Sequence, residues 1–247
     1  MKRLVILLVL LPLGLRAQTK DSAELVVERY LKLLNLEALP QDSTLVMEST
    51  VTFPGSTDTF TMRRWYAPPT MMRVEVWHDN QLTEGYCTNG SSRHREYMRR
   101  MRWWDDVDHS VFHQKMDAFD FRGQLYNWQV RGVKLSYRGE VNYKGQQLQV
   151  VRAEQTDAYA RYYMFEKGSG LLVIVQEKDE EQSTDFTKQV LAKMKASPME
   201  YEVFHEYLPA GMSLVPSQVS YMRDGQLTVM ETTLHFEPRN NLTFNQD

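Results

Sequence analysis

The chain has one cysteine, Cys87, in 247 residues. An exported protein with a single thiol has no internal disulfide, so packing alone must hold it. Cys87 itself reads as a small buried apolar residue rather than a nucleophile. Also missing is any apolar run long enough to cross a bilayer as a helix, which takes about 20 residues. There is no excess of one charge: 29 basic residues face 32 acidic ones, for a formal net charge of −3. Nothing in that balance points to a nucleic-acid partner.

Patterns for catalysis are sparse as well. No serine sits in a nucleophile elbow. Gly55, Gly85 and Gly90 fall in turns or strands, not in a phosphate-binding loop. His109 and His113 are four apart, a spacing that can hold zinc on one helix face. No glutamate follows the first histidine to act as a base. The acidic run Asp105-Asp106-Val107-Asp108 before them suits the start of a helix, where the dipole and free N–H groups favour negative charge. Glu202 and Glu206 would share a strand face while His205 points away, a solvated face rather than an acid–base pair. The expectation is therefore no catalytic residue, no metal and no cofactor. A hydrolase would need a convergent nucleophile, base and orienter that the sequence does not offer.

What is present begins at the first residues. Lys2 and Arg3 precede an apolar run from Leu4 to Leu15, followed by Arg16-Ala17-Gln18. That is the pattern of a secretory signal, with cleavage expected near Ala17. No cysteine follows it, so no lipid anchor is expected there. Residues 1–17 are thus read as a signal peptide and 18–247 as one exported domain, large enough to bury a core.

One helix should open that domain. Asp21 and Glu24 can form a capping box. Ala23, Val26, Val27, Tyr30, Leu31 and Leu34 then recur at helical spacing. After Pro40 the period drops to 2. Leu45, Met47, Val51 and Phe53 alternate with Glu48, Thr50 and Thr52, as in a half-buried strand. Further strands follow at Thr59 to Tyr66, Met72 to Trp77, Gln81 to Thr88 and Arg93 to Met98, with a hairpin signal at Asn89-Gly90. Residues 108–128 turn helical, with Val111, Phe112, Met116 and Phe119 on one face. Strands resume at 134–138, 147–154, 161–166 and 171–177. Residues 179–197 read as an exposed insertion with a short amphipathic helix. Three strands close the chain at 200–207, 215–223 and 226–236. About ten or eleven strands in short-turn succession make a long antiparallel sheet, and such a sheet curls and needs a cover. Helices over a curled sheet can leave an apolar cavity.

The stock of large, soft side chains is high: 14 Met, 5 Trp, 10 Phe and 13 Tyr. Methionine suits surfaces that adapt to flexible chains, so this stock is compatible with a ligand cavity as well as with an ordinary core. Trp65, Met72, Val74, Trp77, Phe112, Met116 and Phe119 are the cavity candidates, and Arg73 is the candidate for a head group or a lid. Arg93, Arg95, Arg99, Arg100 and Arg102 beside Trp103 and Trp104 read as a solvated strand face or an attraction to anionic lipid.

The order of these features resembles the periplasmic lipoprotein carrier and outer-membrane lipoprotein receptor of the Lol sorting system. The matching stretches are the helix from Ala23 to Leu36 with the strand from Thr44 to Phe53, the proline turn and strand from Ala67 to Val76, and the hairpin Thr88 to Ser92. The helical insertion from Asp108 to Trp128 and the late turn from Tyr207 to Pro216 complete the set. The resemblance implies a mainly antiparallel, single curved sheet forming an unclosed β-barrel, with covering helices and a helical lid. It implies an apolar cavity for the acyl chain of a lipoprotein or other lipid, transfer without chemistry, a periplasmic location and membrane-protein partners. It departs from the family at Ala67, where carriers often have a basic residue, and in lacking the receptor's lipidated cysteine. The other reading is an envelope protein with a structural or interaction role and a filled core.

Overall fold

The computed structural model describes residues 22–38, 44–67, 71–88, 94–98, 102–106, 125–156, 159–177, 200–223 and 225–239. Helix α1 spans Ser22–Leu34. Its apolar stripe is buried as the spacing predicts: Ala23, Val26, Val27, Tyr30 and Leu34 all lie in the core. Asn35 ends it in the left-handed region at φ 49°, a position that asparagine tolerates. One 3₁₀ turn, Leu36–Ala38, follows.

Among the described residues, thirteen strands form one sheet. They are β1 Thr44–Thr52, β2 Thr59–Ala67, β3 Met71–His78, β4 Gln81–Thr88, β5 His94–Met98, β6 Trp103–Asp106 and β7 Lys134–Tyr143. Then come β8 Gln146–Thr156, β9 Tyr159–Glu166, β10 Leu172–Glu177, β11 Glu200–Ala210, β12 Ser213–Arg223 and β13 Gln226–Arg239. The spatial order is β6-β5-β4-β3-β2-β1-β13-β12-β11-β10-β9-β8-β7. Two meanders, β1 to β6 and β7 to β13, therefore meet at one seam, where β1 pairs antiparallel with β13. The edge strands β6 and β7 do not pair with each other, so the sheet is an unclosed barrel.

Among the described residues, β6 is the one strand for which no run was predicted. The acidic pair Asp105-Asp106 ends an edge strand. Charge on an exposed edge discourages pairing with another chain, which gives those carboxylates a second physical use. Another difference is β7, which runs on to a tight turn at Lys144-Gly145. Both turn residues have positive φ, 50° and 86°, as a two-residue hairpin of this twist requires. The helix expected over 108–128 lies largely outside the described residues, as do His109, His113, the Asn89-Gly90 hairpin and the insertion 179–197; residues 125–132 form turns.

Each face of the sheet carries a core. The inner face, which α1 covers, joins Val27, Tyr30 and Leu34 to Phe165, Val151, Tyr163, Val175, Tyr66, Met72 and Val74. The helix packs on β7, β8 and β12. Tyr30 meets Phe165 with ring centroids 5.3 Å apart. Arg29 clamps the turn between β9 and β10 by donating to Lys167 O at 3.0 Å and to Gly168 O. At the other end Asn35 Nδ2 donates to Met212 O at 3.0 Å and Ser213 Oγ donates to Asn35 O at 2.8 Å. The outer face has a smaller core of Leu148, Val150, Met164 and Ile174 with Tyr162, Tyr201 and Val203. Strands β8 to β10 thus contribute apolar side chains to both faces, most continuously in β10, Leu172–Glu177, as a strand buried on both sides requires.

Candidate functional site: the inner face of the sheet

Strand alternation decides which side chains reach the inner face. In β3, Met72, Val74 and Val76 belong to the inner core. Arg73, Glu75 and Trp77 lie between them and must project outward. Cross-strand register carries this pattern to β2, where Met62, Arg64 and Tyr66 stand beside Val76, Val74 and Met72. It carries to β4 as well, where Tyr86 stands beside Val74. An apolar surface of Met62, Tyr66, Met72, Val74 and Tyr86 therefore continues past the region that α1 contacts.

The candidate residues consequently split. Met72 and Val74 are on the inner face. Trp65 stands beside Arg73 in the register and shares the outer face with it and with Trp77. Phe112, Met116 and Phe119 lie outside the described residues. The two-residue period of the strands thus sets the cavity candidates Trp65 and Trp77, and the head-group or lid candidate Arg73, on the face opposite Met72 and Val74. Arg73 instead belongs to an outer cluster. Its Nε donates to Glu75 Oε1 at 2.7 Å, and Trp77 Nε1 donates to Glu75 Oε2 at 2.9 Å. The Arg73 guanidinium lies 5.0 Å from the Trp104 ring centre, a cation–π distance. Trp104 also rests on Gly85: a Cβ there would come within 2.6 Å of its ring.

Within the inner face lies a buried ionic network that the sequence reading did not single out. Arg64 of β2 and Glu231 of β13 are each 3% exposed. Arg64 Nη1 donates to Glu231 Oε1 at 2.5 Å and Nη2 to Oε2 at 2.7 Å. This is the two-pronged geometry that makes such pairs strong. Ser49 Oγ is 3.5 Å from Nη1, and Tyr221 OH donates to Glu231 Oε2 at 3.3 Å. Burial pushes the Glu231 carboxyl up, but the charge of Arg64 and hydrogen bonds from Arg64, Ser49 and Tyr221 together hold it below the ordinary range. Burial drives the Tyr221 hydroxyl well up, and neighbouring Glu231 and Glu202 add to it. The pair bridges across β1 and ties the two meanders at their seam. A sequence signal existed. Arg64 sits between Met62 and Tyr66 on an apolar face, as Glu231 sits between Val229 and Thr233. Their pairing needs the β1–β13 contact, which local pattern does not reveal.

At the ends of β9 to β13 lies a pocket of about 300 Å³, lined by residues of both cores, Val175 of the inner and Tyr201 and Met222 of the outer. Arg161, Val175, Glu202, Tyr221, Arg223 and Val229 are among its walls. His205, expected to point away from Glu202, donates to or accepts from Ser220 Oγ at 2.8 Å. Register shifts around Glu206 break the alternation there, so Glu202 and Glu206 do not form the regular row that the period implied. Among the described residues, no group of three metal-ligating side chains exists, and no helix is long and apolar enough to cross a membrane.

No family model matches the chain, and no curated protein does. Solved structures do match its fold. A LolA superfamily protein from Nitrosomonas europaea aligns over 90% of this chain and 94% of its own, at 8% identity and TM-score 0.56. A domain assigned to outer-membrane lipoprotein sorting, from Vibrio parahaemolyticus, aligns over 90% and 96%, at 11% identity and TM-score 0.55. A DUF1329 family protein from Desulfovibrio piger aligns over 90% and 95%, at 10% identity and TM-score 0.55. The chain thus shares the fold of these structures, as its sequence layout suggested.

Proposed function

We propose that this protein is exported to the bacterial periplasm, binds an acyl chain of a lipoprotein or other lipid along the inner face of its sheet, and passes it on without catalysing a reaction. The observation that supports this best is the buried apolar face of Met62, Tyr66, Met72, Val74 and Tyr86, which continues past the strands that α1 packs on inside an unclosed sheet. Each methylene buried there contributes about 0.8 kcal/mol, so a chain of ordinary length binds usefully with no specific polar contact. Soft methionine and tyrosine faces can follow a flexible chain. Phe112, Met116 and Phe119, on the connection between β6 and β7, are proposed to complete the cavity. The signal pattern of residues 1–17 supports export, and a membrane protein is the proposed partner in hand-over.

One observation favours a second reading, an envelope protein of structural role with a filled core. Val27, Val151, Phe165 and Val215 have no exposed surface, so the inner face beneath α1 is fully packed. Titration with a fluorescent fatty acid separates the two. The carrier reading expects saturable uptake at micromolar concentration. It also expects Met72→Trp to weaken uptake by about tenfold or more by filling the site, while Trp77→Ala on the outer face leaves it unchanged. No uptake by a wild-type protein that melts cooperatively would leave the filled-core reading as the better account.

A further inference from the structure

The outer face of β8 to β12 carries a row of side chains that the acyl-binding reading does not use. The cross-strand register sets Arg152 beside Tyr162, Tyr162 beside Gln176, Gln176 beside Tyr201 and Tyr201 beside Met222. Tyr162, Tyr201 and Ile174 belong to the outer core. Gln176 is two residues beyond Ile174 on β10 and shares that face. It is 3% exposed, and its Oε1 accepts no hydrogen bond. A buried carboxamide oxygen left unpaired is a standing cost to the fold and calls for an explanation. At one end of the row Arg152 is engaged by Glu154 at 3.1 Å, so that charge is already compensated. At the other end Tyr201 and Met222 wall the pocket of about 300 Å³, together with Val175, the residue before Gln176.

We infer that Gln176 and the pocket beside it form a binding site for a peptide group of an extended polypeptide segment. The unpaired acceptor calls for an N–H donor. The carboxamide carries its own NH₂ donor beside Oε1, so a ligand with N–H and C=O side by side meets it at both ends. A peptide group has that pattern. An ammonium or a carboxylate would give up its hydration beside Tyr162 and Tyr201, where the charges of Arg152 and Glu154 already engage each other, and such a transfer is costly. The segment enters by the pocket, where Val175, Met222 and Val229 supply apolar wall for its side chains. Tyr201 lines that pocket and neighbours Gln176 in the register, so a turn of its ring joins the two. The volume is at the small end for ligand sites and suits one residue of a chain rather than a folded partner. Gln176 lies on the face opposite α1, so this inference does not rest on the acyl-binding reading.

Proton–nitrogen NMR of the mature chain tests it, with two probes added to millimolar concentration. One is acetyl-alanyl-alanine N-methylamide. The other is its ester analogue, in which the central N–H is replaced by oxygen. The expected result is a saturable shift of the Gln176 side-chain amide with the first probe and binding about tenfold weaker with the second, the worth of one hydrogen bond to a buried acceptor. Gln176→Leu keeps the volume and removes the unpaired oxygen. It should abolish the response to the amide probe, raise the melting temperature, and leave fatty-acid uptake as it is in the wild type. That combination marks a group kept for a ligand at the expense of stability. Equal binding of the two probes, or an amide response that survives in the Leu variant, would overturn the inference. So would the absence of any shift together with a Gln176→Leu protein of lower melting temperature, since the carboxamide would then be satisfied by an internal water only.

Discussion

Arg64 and Glu231 show how much one pair of side chains can decide. Each is buried, so each alone would be an uncompensated charge inside the sheet. Removing one partner of such a pair costs about 3–5 kcal/mol, whereas replacing both with apolar residues of similar size is often neutral. Glu231→Ala should therefore lower stability by that amount in urea unfolding, and the double variant Arg64→Met with Glu231→Leu should recover most of it. The pH dependence follows from the direction of the Glu231 shift. Its folded value lies below the ordinary one, so the unfolded chain binds the proton first on acidification. Its stabilising share is complete above the unfolded value, about 4.3, and is lost as pH falls through the lower folded value. Melting temperature should stay level in this respect down to about pH 5 and drop below it. A Glu231→Gln protein, less stable at neutral pH, should show a smaller acid drop. Gly85 is the second decisive position. A methyl group there meets the Trp104 ring at 2.6 Å, so Gly85→Ala should cost about 1–3 kcal/mol through overpacking and shift tryptophan emission as Trp104 is displaced from its seat.

At the scale of elements, helix α1 was legible almost to the residue. Its stripe, Ala23 to Leu34, has a single period and one solution. Its attachment was not legible, because Arg29, Asn35 and Ser213 act through backbone carbonyls 138 to 178 residues away. Phe165→Ala should loosen this docking by about 3–5 kcal/mol, read as a lower denaturant midpoint with amide exchange rising first in α1. Strand β3 teaches the opposite lesson. The alternation of Met72, Val74 and Val76 with Arg73, Glu75 and Trp77 was in the sequence, and it already forbade Trp77 and Met72 from lining one cavity. The candidate set gathered aromatic residues by type before asking which face each one occupies. Strand β6 was hidden for another reason. Four residues are too few for a period, and acidic residues suit a helix start as well as a guarded sheet edge.

At the scale of the molecule, strand succession with short turns was enough to specify a long antiparallel sheet that curls without closing. What local pattern could not supply is the seam. The pairing of β1 with β13 joins the first and last strands of the sheet's two meanders, and it brings Arg64 to Glu231 with Tyr221 beside them. The resulting inner face is one apolar core that runs from the residues under α1 to Met72, Val74 and Tyr86 of β3 and β4. The most direct measurement is native mass spectrometry of the mature protein purified from its own envelope, followed by organic extraction of what it carries. The account predicts an acylated species at close to one per chain, released intact by solvent. A protein that arrives at its bare polypeptide mass, and that takes up no fatty acid when offered micromolar amounts, would contradict it.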